Sequence, residues 1–306
     1  MASPRDPEKV GVSAEPTTAE ISARTEVGAV HLAVSDLERS IAFYRRVVGL
    51  EVLELDSGRA SLGAGDRGLL VVVAEPGAGP AFGFTGLYHF ALLLPRRVDL
   101  ARWLMHAVRD RVRLVGLSDH FVSEALYLSD PDGHGIEIYS DRPRVVWEGL
   151  VASRLTTEPL DVDDLLSEVR DRRSESFDGL PVGTVMGHVH FRVATIPETV
   201  SFYRDALGFT LMAQLGAQAA FLAAGGYHHH IGANTWESAG APPAPPGTAA
   251  LRRATIVLPD DTELVRVRAR LDAEGHEPRD TPDGTAVRDP SGNPLLLAVA
   301  GQETRR

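Results

Sequence analysis

The chain contains no cysteine in its 306 residues, which excludes disulfides and thiolate metal ligands and leaves histidine and carboxylate side chains as the only strong protein ligands for a metal. A reducing compartment is allowed by this absence. Positive charge is not in excess either. The formal net charge of -11 argues against a general binder of phosphate backbones and favours small-molecule partners, so no nucleic-acid reading is supported. No segment approaches the ~20 apolar residues that a membrane helix needs, and residues 1–20 lack the apolar centre of a secretion signal. A cytoplasmic protein without a membrane partner is therefore expected, with residues 1–26 as a disordered lead-in.

What the chain does have is repetition. The stretch Gly28–Leu50 aligns with Gly187–Phe209 at a constant offset, which superposes Phe43 and Tyr44 on Phe202 and Tyr203, and Gly49 on Gly208. A second pair follows: the run that ends at Pro95 matches the run that ends at Pro259, and the turn opening at Asp130 matches the one opening at Asp289. The chain thus reads as four related units. Each begins with a short alternating apolar strand and continues as an amphipathic helix. In the first unit Ser35 and Glu38 have capping-box spacing, and Leu37, Ile41, Phe43, Tyr44, Val47 and Val48 supply the buried face, with Gly49 as the stop. Strand-rich runs broken by Gly, Asp and Pro follow, such as Ala60–Glu75 and Glu124–Ser140. The unit is β-α-β-β-β, four times over, in an α+β protein.

With 43% hydrophobic residues the chain is long enough for two ordinary cores. The expected division is one two-unit module at 27–141, a linker at 142–185 that contains a short acidic helix, and a second module at 186–300. The Pro-rich run Ser238–Ala250 joins the third and fourth units. The Asp130-Pro131-Asp132-Gly133 and Asp289-Pro290-Ser291-Gly292 runs are turns between strands and support the fold alone.

His89, Glu137 and His188 occupy matching places in the repeats and together offer two imidazoles and one carboxylate, a ligand set for a divalent metal with open positions. A Glu at the end of an apolar strand otherwise faces a substantial desolvation cost. His106, His134 and His276 have no partner motif and read as structural or surface residues.

Four such units, a His on an opening strand, the Gly135–Tyr139 run after an Asp-Pro-Asp-Gly turn, and the run Gly225–Trp236 containing three successive His together resemble the vicinal oxygen chelate superfamily. Within it the chain resembles the extradiol ring-cleavage dioxygenases of the catechol 2,3-dioxygenase type over Gly28–Val299. The resemblance implies Fe(II), or Mn(II) in some members, held by His89, Glu137 and His188. It also implies O2 as co-substrate, a small aromatic diol as substrate, and both oxygen atoms inserted beside the diol. It implies an acid/base His among His228, His229 and His230. Strand alternation would send His228 and His230 to the opposite face from His229, which favours His229. Tyr127 and His120 correspond to the family's active-site Tyr and its supporting His. His228, His230, Asn234 and Trp236 are candidates to contact substrate. Homo-oligomerisation is left open.

One departure matters. The familiar extradiol enzymes build the site in the third and fourth units. Here the fourth unit has Arg253 at the place of His89 and Leu296 at the place of Glu137, and the first unit has Ala29 at the place of His188. Only the second and third units carry a complete set, so the expected pairing is second with third and first with fourth. The competing arrangement pairs first with second and uses His31, the counterpart of His190, with His89 and Glu137. Two other functions fit the scaffold: a glyoxalase-like metal-dependent isomerase or transferase, which needs no O2, and a metal-free binding protein.

Overall fold

The computed structural model of the chain describes residues 20–170 and 176–301. The first unit comprises β1 (Glu26–Val34), α1 (Leu37–Phe43), β2 (Glu51–Asp56), β3 (Arg59–Ala64) and β4 (Arg67–Ala74). After the short β5 (Gly79–Pro80), the second comprises β6 (Gly86–Leu93), α2 (Arg97–Arg109), β7 (Gly116–Asp119), β8 (Ser123–Ser129) and β9 (Gly135–Asp141). The connecting stretch carries α3 (Arg144–Trp147), α4 (Val151–Arg154), β10 (Glu158–Pro159) and α5 (Val162–Ser167), the last being the expected acidic helix. The third unit is β11 (Val185–Arg192), α6 (Ile196–Ser201), β12 (Thr210–Leu215), β13 (Ala219–Ala223) and β14 (Ile231–Asn234). Beyond β15 (Thr248–Ala249) the fourth is β16 (Leu251–Leu258), α7 (Asp261–Ala273), β17 (Arg279–Thr281), β18 (Gly284–Arg288) and β19 (Pro294–Val299).

The units pair across the chain. One large sheet runs β17-β18-β19-β16-β1-β4-β3-β2 and joins the first unit to the fourth; a second runs β10-β7-β8-β9-β6-β11-β14-β13-β12 and joins the second to the third; β15 and β5 form a separate two-stranded pair. The joints are antiparallel, β1 on β16 and β11 on β6. His31 on β1 faces Arg253 across its joint, and His190 faces His89 across the other, so the equivalence of these positions in the repeats is also a spatial one. The arrangement built on His31 fails because β1 lies in the other sheet.

Alternation along the strands sorts each unit into two faces. Phe90 and Leu92 of β6, Ile136 and Ile138 of β9, and Val189 and Phe191 of β11 point into the main core, which also contains Trp103 of α2. Each fully buried aliphatic or Phe side chain there contributes about 1.5–3 kcal/mol. The intervening residues, among them His89, Glu137, His188 and His190, lie on the opposite face.

The first helix is capped one residue later than the spacing suggests. Asp36 Oδ1 accepts from the Arg39 N–H at 3.0 Å, while the Ser35 hydroxyl donates to Asp132 Oδ1 at 2.6 Å. Ser35 is thus engaged by the Asp-Pro-Asp-Gly turn of the second unit. The same turn receives the Tyr44 hydroxyl on Asp130 Oδ2 at 2.8 Å, and its counterpart in the fourth unit receives Tyr203 on Asp289 Oδ2 at 3.3 Å. These turns therefore tie successive units together. The lead-in expected over 1–26 falls outside the described residues as far as residue 19. Its remainder is packed: Ile21 is buried, its N–H donates to Gly208 O at 2.8 Å, and β1 begins at Glu26.

Candidate metal centre

A lateral row of residues across four strands of the second sheet builds the site. Tyr127 on β8 lies beside Glu137 on β9, Glu137 beside Ala91 on β6, and Ala91 beside His188 on β11. Ala91, fully buried, is the small member that leaves room for Glu137 and His188 to meet over it, and His89 enters from two residues earlier on the same strand. Glu137 Oε2 lies 3.0 Å from His89 Nε2 and 3.1 Å from His188 Nε2, and the two imidazole nitrogens are 3.3 Å apart. Among the described residues these three form the group of His and carboxylate side chains able to hold a metal ion. All three are buried, with exposures of 7% for His89 and 2% each for Glu137 and His188.

Close packing extends to the backbone. A Cβ on Gly187 would lie 1.8 Å from the Tyr139 hydroxyl oxygen, so only glycine lets Tyr139 sit under the strand that carries His188.

The protonation states suit a ligand set. Burial would raise the Glu137 carboxyl, but the neighbouring His188 and His89 imidazoles more than offset it and hold the group well below the usual carboxylate range. Burial lowers His188 in spite of Glu137 beside it. A carboxylate next to a neutral imidazole is the deprotonated form in which these side chains bind metal.

Around the three lie the other expected residues. Tyr127 Oη is 2.7 Å from His120 Nε2, and His120 Nδ1 is 2.7 Å from the Thr156 carbonyl, which can only accept. His120 therefore donates from Nδ1 to Thr156, and a ring with that single proton takes the Tyr127 O–H on Nε2. Burial, then Glu137, pushes the Tyr127 phenol well above its ordinary range. The His229 ring lies 4.1 Å from that of His188, and burial, then the surrounding imidazoles, lowers it well below the ordinary histidine range.

The alternation expected at the three successive His does not hold. Gly225 and Gly226 are both left-handed, at φ 60° and 67°, and form a turn, and β14 begins only at Ile231, so residues 227–230 lie in an irregular stretch outside any strand. His228 and His229 consequently lie on one side, Nδ1 to Nδ1 at 2.9 Å, while His230 Nδ1 accepts from the Ala224 N–H at 3.1 Å and its ring lies beside Phe209 and Tyr227. Asn234 is fully buried and its Nδ2 is 3.0 Å from His190 Nε2, so it orients His190. Trp236 is 51% exposed and packs edge-on to Tyr88 and beside His190 at the rim. His134 Nε2 and His106 Nε2 contact the Ala33 and Val47 carbonyls, and His276 lies edge-on to Phe202, each away from the site.

Sequence reasoning missed a further set. His190 lies 4.9 Å, ring to ring, from His89; Tyr139 Oη is 2.9 Å from Tyr227 Oη; and Tyr227 donates to Asp141 Oδ2 at 2.9 Å. The connecting stretch, which has no chemical motif of its own, forms a wall: Trp147 is buried edge-on to Tyr227 and His228 and donates from Nε1 to the Arg142 carbonyl at 2.9 Å, and Thr156 anchors His120. The adjoining Phe121 is held left-handed at φ 68° with the Arg154 guanidinium over its ring. An aromatic next to the His run and an Asp two residues past Tyr139 are the only hints the sequence offers.

In the first-to-fourth sheet the equivalent place contains Arg253, bonded to Asp283 Oδ2 at 2.8 Å, and His31, which burial and then Arg253 and Arg59 push down to about 3. That is no metal site.

Comparison with known proteins agrees with this architecture. The chain is 43% identical over 287 residues to the catechol-2,3-dioxygenase of Bacillus subtilis (strain 168), covering 90% of this chain and 97% of that protein. Its fold is similar to a solved structure from Bacillus subtilis subsp. subtilis str. 168, with a TM-score of 0.63 and 14% identity over 93% of this chain and 87% of the other. It is similar also to glyoxalase I from Zea mays, with a TM-score of 0.56 and 16% identity over 91% and 93%. The sequence model of the Glyoxalase/Bleomycin resistance protein/Dioxygenase superfamily matches residues 26–138 and 185–297, and the chain belongs to that superfamily.

Proposed function

We propose that this protein is an Fe(II)-dependent extradiol dioxygenase that cleaves the ring of a catechol beside its two hydroxyls with incorporation of O2. The observation that carries the reading is the buried trio of His89, Glu137 and His188, with donor atoms 3.0–3.3 Å apart. Neighbouring ligands on an ion with bonds of about 2.1 Å need a spacing of roughly 3 Å, so the residues fit such a group. The full-length similarity to a catechol-2,3-dioxygenase supports the same reaction class. Two imidazoles and one carboxylate on one face suit Fe(II), with Mn(II) accepted by the same donors. When bound, the metal would offer adjacent open positions to vicinal oxygens and to dioxygen.

The surrounding side chains supply proton handling. His229, neutral through burial, is able to take a proton from a catechol hydroxyl and return it later. Tyr127 keeps its proton and directs it to His120, so it is fixed in orientation and presents its oxygen to the site as a hydrogen-bond acceptor. Trp147, from the connecting stretch, packs against His228, and Trp236, just past β14, packs beside His190 at the rim.

The test is turnover with and without oxygen. Protein purified anaerobically and loaded with Fe(II) is expected to convert catechol to a yellow ring-opened product only on admission of air. Turnover of a vicinal-oxygen substrate that continues unchanged under strict anaerobiosis would transfer the assignment to a glyoxalase-like isomerase.

A further inference from the structure

We infer that Asp141 and His228 act as positioning residues that select the tautomer of His229, presenting its Nε2 as an unprotonated base. The inference rests on His229 as the acid/base group of the proposed reaction, but the tautomer itself can be tested apart from that reaction.

Counting donors and acceptors leads to it. Asp141 Oδ2 accepts the Tyr227 hydroxyl at 2.9 Å, and Tyr227 Oη is in turn 2.9 Å from Tyr139 Oη. Asp141 Oδ1 is 2.8 Å from His228 Nε2. A carboxylate oxygen accepts, so His228 donates from Nε2, and in the inferred state its ring carries no second proton and keeps a lone pair on Nδ1. His228 Nδ1 lies 2.9 Å from His229 Nδ1. Two lone pairs cannot face each other at that distance, so the His229 proton sits on Nδ1 and its Nε2 is bare. His228 is fully buried and His229 is 8% exposed, so bulk water offers little competition for these ring nitrogens.

Geometry holds the series in place. Trp147 lies edge-on to His228 with ring centres 5.5 Å apart, and Tyr227 covers its other neighbourhood at 3.9 Å. Asp141 is the last residue of β9, the strand that carries Glu137, so one strand anchors both the ligand set and the base. The pattern is a carboxylate that fixes a base through an intervening imidazole, a role in which the carboxylate never touches substrate.

The experiment is long-range proton–nitrogen correlation NMR on protein labelled with nitrogen-15 in its histidines and loaded with diamagnetic Zn(II). His228 is expected as the Nε2–H tautomer and His229 as the Nδ1–H tautomer. In Asp141→Leu the His229 signal is expected to leave the pure Nδ1–H pattern, and kcat with catechol to fall about 10–100-fold at unchanged metal content. His229 observed as the Nε2–H form in the unaltered protein would overturn the inference, as would an Asp141→Leu protein whose spectrum and kcat stay within about twofold of the original. Failure of catechol cleavage with the predicted tautomers present would remove the functional reading and leave this inference standing.

Discussion

At the scale of single residues, the proposed function rests on three donors and the groups behind them. Glu137→Gln keeps the shape of the side chain but removes the charge that balances an ion; His188→Ala removes a ligand outright. Both are expected to lose stoichiometric metal by elemental analysis and more than about 99% of catechol turnover, with circular dichroism unchanged. Tyr127→Phe is expected to lower kcat about 10–100-fold with a smaller effect on KM, because the hydroxyl is lost from the site and His120 Nε2 is left without its partner; steady-state kinetics on the iron-loaded variant checks it. Much of this residue set is legible in the sequence. Repetition marks His89, Glu137 and His188 by showing Arg253, Leu296 and Ala29 at the corresponding places. Asp141, Tyr227 and His190 are not legible there, since their roles come from contacts between strands of different units. The alternation applied to His228–His230 fails because two left-handed glycines turn the chain there.

At the scale of elements, the row Tyr127, Glu137, Ala91 and His188 explains why four strands in that order make a site. A larger residue in the middle of the row must push into the space where Glu137 and His188 meet. Ala91→Leu is expected to destabilise the protein by about 1–3 kcal/mol in urea titration and to reduce bound metal well below one ion per chain. The connecting stretch has its own element-scale consequence. Trp147 is 2% exposed and covers Tyr227 and His228, so Trp147→Ala is expected to cost about 3–5 kcal/mol of stability, read from the same titration, by leaving a cavity beside the His run. Composition marks this stretch as a linker with an acidic helix. It cannot show that the stretch folds back over the site, because nothing local in Arg142–Thr156 demands it.

At the scale of the whole molecule, the pairing of second with third and first with fourth units follows from which repeats kept their ligands, and both sheets carry it out. The departures from the familiar site make this pairing legible in the sequence. The turns that lock the units together are legible as turns only, because the Tyr44–Asp130 and Tyr203–Asp289 bonds join positions far apart in the chain. Partly buried imidazoles also give the molecule a pH dependence. Burial pushes His31 and His230 down to about 3 from an ordinary value near 6.5, so between those values the unfolded chain binds protons that the folded one does not. Stability therefore falls as pH drops through this window, by up to about 1.4 kcal/mol per pH unit for each group. Asp289, raised by burial to about 6, works in the opposite direction between about 3.8 and 6, and one such group does not offset two. Urea midpoints are expected to be clearly lower at about pH 5 than at about pH 7, and equal midpoints would contradict the depressed protonation of these imidazoles in the folded chain.

Oxygen-dependent ring cleavage at the His89, Glu137 and His188 centre is tested by a simultaneous record of dissolved oxygen and ring-opened product after catechol is added to the Fe(II)-loaded protein. About one O2 is expected to be consumed per product formed, with both signals abolished in Glu137→Gln. Product formed without oxygen uptake, or full uptake in Glu137→Gln, would contradict that chemistry.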